Sequence, residues 1–203
     1  MDFCVDNADH FKYFFMSLGA SIEGWQHCRP IISVDGTFLK CTFKGCMILA
    51  CTLDGNNQIF PLAMAIVDSE NDASYEWFFF KLKDAIGVRE ELVIVSDRHA
   101  SIAKGAKNAF PEASHVICNY HLLQNLKTRF HEPAMANAFH ACARAYHTTE
   151  FSRHMRRLDL INPGIRPYLF EVGFSRWARC FSRRRRYFQT ASVHFLFCRL
   201  FLL

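Results

Sequence analysis

Two short apolar runs that each lead into an aspartate constrain this chain more than any other feature. Ile31 to Phe38 reads Ile-Ile-Ser-Val-Asp-Gly-Thr-Phe, so that Asp35 stands before a glycine turn. Leu92 to Ser96 reads Leu-Val-Ile-Val-Ser and is followed by Asp97. Short bounded runs rich in β-branched residues are typical of buried strands. The pattern therefore predicts two buried strands that each present a carboxylate at the edge of a sheet.

The segments around these runs predict a mixed sheet with helices. The predicted strands are Ile31–Leu39, Cys46–Leu53, Gln58–Val67, Leu92–Ser96 and Ser114–Cys118. The predicted helices are Ala73–Ile86, Ser101–Phe110 and Tyr120–Phe130. Asp54-Gly55-Asn56-Asn57, between the second and third strands, is a hairpin signal. The resulting order, βββαβαβα, predicts an α/β fold of the ribonuclease H-like type with a five-stranded mixed sheet.

The flanks of this core predict three further segments. Phe11 to Ile22 has an aromatic face and predicts a helix, so that residues 1–30 lead into a core over residues 31–131. Residues 132–180 are rich in Ala, Arg and Leu, and they predict an all-helical insertion after the third core helix. Residues 181–203 form a tail that is first basic and then apolar.

The charge of the chain is unevenly distributed. Residues 1–150 carry 13 Lys and Arg against 17 Asp and Glu, a net of −4, whereas residues 151–203 carry 11 against 2, a net of +9. Such asymmetry favours a polyanionic partner, although a solvated basic face explains it equally well. The run Arg183, Arg184, Arg185 and Arg186 predicts weak, sequence-independent contact with nucleic acid, or else a solvated tail.

Composition excludes several classes of protein. A content of 51% hydrophobic and 15% aromatic residues excludes a disordered chain. No apolar run reaches the roughly 18–20 residues that a bilayer-spanning helix needs, so we expect no membrane association. The acidic start Met1-Asp-Phe-Cys-Val-Asp predicts no signal peptide. Several of the nine cysteines lie in apolar runs, which favours a reducing compartment, the cytosol or the nucleus.

Asp35 and Asp97 are the leading candidates for chemistry. In the predicted fold they lie on neighbouring central strands, and two close carboxylates repel each other unless a proton or a divalent metal offsets the charge. Mg²⁺ or Mn²⁺ held by such acids activates a water molecule and stabilises a leaving oxygen in phosphodiester chemistry. The alternative is that both are ordinary turn or capping aspartates. Their matching places in one fold favour the metal site.

Three other residues attract attention near these acids. Cys118 and His121 form a C-x₂-H pair at the end of the fifth predicted strand, which indicates either a zinc half-site or neighbours of the active site. A zinc site needs further ligands, and His115, His131 and Cys142 have no spacing that argues for them. We therefore prefer the active-site reading. Arg98 either contacts a phosphate or pairs with an acid on a helix.

The sequence resembles a known family over about residues 10–187. VDGTFLK (34–40), the segment 44–86, LVIVSDRHASI (92–102) and FPEASHVICNYHLLQNLK (110–127) closely resemble the plant Mutator-like element (MULE) transposase domain. Such transposases have a ribonuclease H-like fold in which two Asp and one Glu bind two divalent ions that drive strand cleavage and joining. The resemblance implies that Asp35 and Asp97 are the first two acids. It also implies that Cys118 and His121 are the C-x₂-H signature of the family, and that Trp177 matches a family tryptophan in the helical insertion.

The third acid departs from the family pattern. Family members continue beyond the Arg-Tyr of Arg186 and Tyr187 into a segment that contains the third Glu, whereas no acid follows Glu171 here. This change predicts a truncated, frameshifted or decayed C-terminus. Glu132 lies 35 positions after Asp97 and is a weak substitute, and Glu150 and Glu171 are no better.

Two functions follow as expectations from the resemblance. One is a nuclear DDE-type transposase domain with Mg²⁺ or Mn²⁺ as cofactor and DNA as partner, inactive as written because the third acid is missing. The other is a non-catalytic DNA-associated or transcription-regulating protein derived from such a transposase, like the plant far-red impaired response family. Either one is compatible with a homo-oligomer.

Overall fold

The computed structural model describes residues 1–5, 8–40 and 44–182. The strands are β1 (Asp2–Val5), β2 (Phe11–Met16), β3 (Ile31–Phe38), β4 (Cys46–Leu53), β5 (Ile59–Val67), β6 (Val93–Ser96) and β7 (Ser114–Ile117). The helices are α1 (Gly19–Trp25), α2 (Asp72–Ile86), α3 (Ala100–Ala109), α4 (Asn119–Phe130), α5 (Met135–Arg144), α6 (Thr148–Ile161) and α7 (Ile165–Val172). Two short 3₁₀ turns, Phe174–Arg176 and Arg179–Phe181, follow α7.

The strands form one mixed sheet in the order β1-β2-β5-β4-β3-β6-β7. The β3–β4 and β4–β5 pairs are antiparallel, whereas β3 and β6 run parallel. The predicted α/β class is therefore confirmed. The predicted number of five strands is wrong, because the described residues contribute seven.

The two additional strands lie before β3, and β2 occupies the segment where the sequence predicted a lead-in helix over Phe11–Ile22. Phe11–Met16 is strand β2, and the helix begins only at Gly19. Burial alternates with a period of two, since Tyr13 and Phe15 are buried whereas Lys12, Phe14 and Met16 are only partly buried. Aromatic side chains suit a half-buried sheet, and β2 pairs with the open edge of β5 along Met64–Ile66. Tertiary pairing thus overrides the local helical pattern.

The β4–β5 hairpin forms where the sequence predicted it. The Asp54 carboxylate accepts hydrogen bonds from the backbone N–H groups of Asn56 and Gln58, both at 2.8 Å, and Asn57 adopts a φ of 61°. An Asx-type cap with a left-handed Asn is a usual way to reverse a chain. Pro61 lies where the β4–β5 register shifts, so the ladder bypasses its missing N–H.

Helix α2 packs against the sheet and frames the first compact unit. Asn71 caps it by accepting a hydrogen bond from Ser74 N–H at 2.9 Å, and Gly87 ends it with a positive φ of 69°. Tyr75, Phe78 and Phe79 on its inner face have no exposed surface. This face belongs to the same apolar core cluster as Ile32 of β3 and Ile48 of β4, so α2 packs on the sheet.

The chain divides into two compact units, Met1–His115 and Val116–Leu203. Helices α5, α6 and α7 follow Pro133 in the described part of the chain. The segmentation predicted from the sequence, with a boundary between residues 131 and 132, divides the chain differently and stays a prediction. No helix among the described residues is both long and apolar enough to cross a bilayer.

Trp177 organises the aromatic core of the second unit. Its indole is fully buried, stacks on Phe139 with ring centres 5.4 Å apart, and contacts Phe151 and Phe174 at 5.8 Å. Its Nε1–H donates to the backbone carbonyl of Leu169 at 3.4 Å. Replacing it would remove packing and leave a void.

We therefore expect Trp177→Ala to lower the free energy of unfolding by about 3–5 kcal/mol, which is typical for a buried aromatic side chain. Urea denaturation followed by far-UV circular dichroism measures this change. Phe170→Ala is the control, because Phe170 is 70% exposed and its loss should change stability by less than about 1 kcal/mol. Equal effects of the two substitutions would contradict the assignment of Trp177 to the core.

Candidate metal and nucleic-acid site

The pairing of β3 with β6 places Asp35 and Asp97 at corresponding positions. The parallel register pairs Ile31 with Val93 and Ser33 with Val95. Asp35 follows Ser33 by two residues and Asp97 follows Val95 by two, so the two acids are equivalent points of neighbouring strands. Adjacent strands are about 4.8 Å apart. The sheet thus brings the two predicted acids together.

Asp35 lies within β3 rather than at its end. The strand continues through Gly36, which pairs with Ile48, to Phe38, so the glycine turn predicted after Asp35 is wrong. Gly36 meets a different need. A Cβ at this position would collide with the Glu70 carboxylate and would lie 2.7 Å from the Tyr75 hydroxyl oxygen. The glycine therefore permits a close approach to the start of α2.

Burial and neighbouring charge make Asp35 hard to ionise. Its pKa is raised to about 7, first by burial and then by the negative charge of Asp97, with a smaller contribution from Glu70. The Gly36 backbone N–H, which donates to Asp35 Oδ1 at 3.1 Å, acts in the opposite direction. A carboxyl group whose pKa is raised by burial and by nearby acids is a suitable position for a cation.

Glu70 is the acid that the sequence analysis missed. It lies just before α2 among Ser69, Asn71 and Asp72, where an acid reads as an ordinary helix-start residue. Its Oε1 accepts a hydrogen bond from the Tyr75 hydroxyl at 2.7 Å. Tyr75 is fully buried, so this bond holds the carboxylate over β3. Only a contact across some 35 residues, which no local pattern contains, reveals this role.

Asp97 is held at the exit of β6. Its Oδ1 accepts a hydrogen bond from the His99 backbone N–H at 2.9 Å, and its own carbonyl accepts one from the Ser96 hydroxyl at 2.9 Å. His99 directly precedes α3, and its ring lies 5.8 Å from that of Tyr75. His99 Nδ1 is buried without a hydrogen-bond partner. The residues that follow Asp97 thus return toward the face that carries Glu70 and Tyr75.

The other predicted site residues belong to segments outside β3 and β6. Arg98 is exposed between β6 and α3 in the first unit. Cys118 is buried directly before α4, and His121 lies in the first turn of α4, so both belong to the second unit. Their roles as neighbours of the active site stay predictions. Arg183, Arg184, Arg185 and Arg186 lie outside the described residues, as does the rest of the tail.

The alternative third acids also belong to the second unit. Glu132 stands between α4 and α5, and Glu171 lies in the last turn of α7. Glu150, in the first turn of α6, accepts a hydrogen bond from the Tyr146 backbone N–H at 3.1 Å and lies 3.8 Å from His154 Nε2. These contacts account for Glu150 as a helix-start acid.

The donor chemistry of the Asp35 and Asp97 pair fits a hard divalent cation. Two neighbouring carboxylates, of which Asp35 is largely buried and has a raised pKa, offer the oxygen ligands that Mg²⁺ and Mn²⁺ prefer. Across the part of the chain that the structure describes, no group of three or more His, Cys, Asp or Glu side chains is arranged to hold a metal ion. The pair therefore supplies part of a coordination shell.

Two curated plant proteins are similar to this chain. Protein FAR1-RELATED SEQUENCE 4 of Arabidopsis thaliana is 23% identical over 196 residues, which are 89% of this chain and 26% of that protein. Protein FAR1-RELATED SEQUENCE 5 of the same species is 20% identical over 163 residues, 71% of this chain and 21% of that protein. The chain thus spans about a quarter of the length of these curated relatives.

A protein-family model matches the segment that carries the candidate site. It describes the MULE transposase domain and matches residues 31–125. That range contains Asp35, Glu70 and Asp97, together with the strands that position them. The resemblance seen in the sequence is therefore confirmed over residues 31–125, the segment that matches the MULE transposase domain.

Proposed function

We propose that this chain is the core portion of a DDE-type transposase, or of a protein derived from one, and that it binds a divalent cation and DNA. The observation that carries the proposal is the matched segment, residues 31–125, in which Asp35 lies in β3 and Asp97 directly follows the parallel strand β6. In this proposal DNA is the partner and the nucleus is the site of action. A homo-oligomer is compatible with it.

We propose further that the fold is ribonuclease H-like. Its support is the strand order β5-β4-β3-β6-β7, with an antiparallel meander from β3 to β5 and a parallel β3–β6 pair. This is the sheet that the βββαβαβα order predicts. Strands β1 and β2 then extend its β5 edge as an addition to the core.

In the proposed site Asp35 and Asp97 would hold Mg²⁺ or Mn²⁺. When bound, such an ion lowers the pKa of its water and neutralises charge on a phosphodiester. Asp35 must lose its proton to become a ligand, and Glu70 makes that loss harder by keeping negative charge nearby. The Gly36 N–H and the His99 N–H each orient one carboxylate oxygen, so that both side chains are preorganised.

We expect the chain as given to bind the cation without cleaving DNA. Two of the three acids of the family have counterparts here, and the third Glu has none in this sequence. The competing proposal is a non-catalytic DNA-associated protein that does not need the cation. Its support is that both curated relatives are FAR1-related sequence proteins, in line with the second expectation from the sequence. Cation binding separates the two proposals.

Asp35→Asn and Asp97→Asn should each weaken Mn²⁺ binding by at least about tenfold. Loss of a residue that hydrogen-bonds a metal ligand already costs roughly 10–100-fold in affinity, and loss of the ligand itself costs more. Titration followed by electron paramagnetic resonance of free Mn²⁺ measures this. Asp84→Asn, an exposed change on α2, is the matched control and should leave the affinity unchanged. A nicking assay on supercoiled plasmid, with gel-shift measurement of DNA binding, runs in parallel.

Mn²⁺ binding that is unaffected by either substitution would contradict the proposed cation site and favour the non-catalytic alternative. DNA nicking that depends on Mn²⁺ and disappears in Asp97→Asn would instead overturn our expectation that the chain is inactive. Loss of DNA binding in the unaltered chain would count against both proposals.

Mn²⁺ affinity should rise as pH increases through about 7, because the folded-state pKa of Asp35 is raised to about 7 and the bound proton competes with the cation.

The same shift predicts that the free energy of unfolding falls as pH rises from about 4 to 7, since the folded state retains a proton that the unfolded state has lost. Glu70→Gln should move both transitions to lower pH. Glu76→Gln, a half-buried acid of α2 that accepts a hydrogen bond from Asn108, is the control, and an unchanged midpoint in Glu70→Gln would contradict the arrangement.

A further inference from the structure

The exit of strand β6 is tied to strand β7 through side chains. Ser96, the last residue of β6, is 1% exposed, and its hydroxyl donates to the carbonyl oxygen of Asp97 at 2.9 Å. The Ser96 hydroxyl oxygen also lies 2.9 Å from Nε2 of His115, on strand β7. The strands β6 and β7 are neighbours in the sheet. A half-buried histidine thus contacts the buried serine that precedes the second acid.

The direction of these bonds follows from counting protons. A serine hydroxyl carries a single proton, and this proton is used in the bond to the Asp97 carbonyl. The Ser96 oxygen is then an acceptor toward His115, so the imidazole carries its proton on Nε2. The result is a continuous sequence of donors from His115 through Ser96 to the Asp97 carbonyl. Each bond in such a sequence strengthens the next.

This sequence of bonds acts on the backbone that orients the Asp97 carboxylate. One carboxylate oxygen is held by the His99 N–H, two residues further along the same backbone. The Asp97 carbonyl is held from the other side by Ser96. The direction of the carboxylate therefore depends on both contacts, because β6 ends at Ser96 and Asp97 itself is outside the strand.

We propose that His115 is a positioning residue for Asp97, acting through Ser96 to fix the second acid of the cation site. The inference rests on the proposed function where it concerns the cation, and on the geometry alone where it concerns the backbone at the strand exit. It gives β7 a role in orienting Asp97 through a side chain, in addition to its backbone pairing with β6. His115 does not itself contact the cation in this proposal.

Three variants test the proposal. His115→Ala removes the donor, His115→Gln restores an N–H at nearly the same reach as Nε2, and Ser114→Ala changes the neighbouring residue of β7 without removing the donor. Mn²⁺ affinity is measured as for the aspartate variants, and amide hydrogen–deuterium exchange is followed at residues 96–99. Far-UV circular dichroism confirms that each variant is folded.

We expect His115→Ala to weaken Mn²⁺ binding by about tenfold, as for other partners that orient a metal ligand, and to accelerate exchange of the His99 amide. His115→Gln should recover most of both losses, and Ser114→Ala should show neither. If exchange and affinity are unchanged in His115→Ala, if Gln gives no recovery, or if Ser114→Ala causes equal losses, the proposal is overturned. When the unaltered chain binds no Mn²⁺, the proposed cation site fails, whereas faster His99 exchange in His115→Ala still supports the positioning role.

Discussion

The parallel pairing of β3 with β6 is the interaction on which the candidate site depends. Its register brings Asp35 of β3 beside Asp97, which directly follows β6. Ile32 and Ile94 form one of the pairs of this register, and both are buried in the apolar core. A slip by one residue would turn one of the acids to the opposite face of the sheet. The hydrophobic core therefore holds two like charges together that would separate in a free chain.

The unfavourable electrostatics of this arrangement appear as the raised pKa of Asp35. Its raised pKa reports burial first, and then the negative charges of Asp97 and Glu70. The first compact unit adds a third carboxylate, which Tyr75 holds in place by a hydrogen bond from within the core. An arrangement of this kind lowers stability at neutral pH, and the cation that we propose for this site would offset that cost when bound.

The sequence predicted the core strands well because their signals are local. β4 is a continuous apolar run, and the β4–β5 hairpin has an Asp-Gly-Asn-Asn turn that also caps itself. The Phe11–Met16 segment was wrongly predicted because six residues fit a helical and a strand period equally. What decides its conformation is the open edge of β5, which lies about 50 residues away. Glu70 was missed for the same reason, since its contact with Gly36 is also distant in sequence.

The two aspartates differ in what keeps them in place. Asp35 lies inside β3, where its backbone pairs with Leu49 of β4, so its position is fixed by the ladder and hardly depends on any one side chain. Asp97 lies beyond the end of β6, and the bonds from Ser96 and His99 must do for it what the ladder does for Asp35. The electrostatic cost of the site is thus concentrated on Asp35, whereas its geometric vulnerability is concentrated on Asp97. Substitutions around β7 should therefore alter the orientation of the Asp97 carboxylate. Substitutions at the start of α2 should alter the pH at which Asp35 ionises.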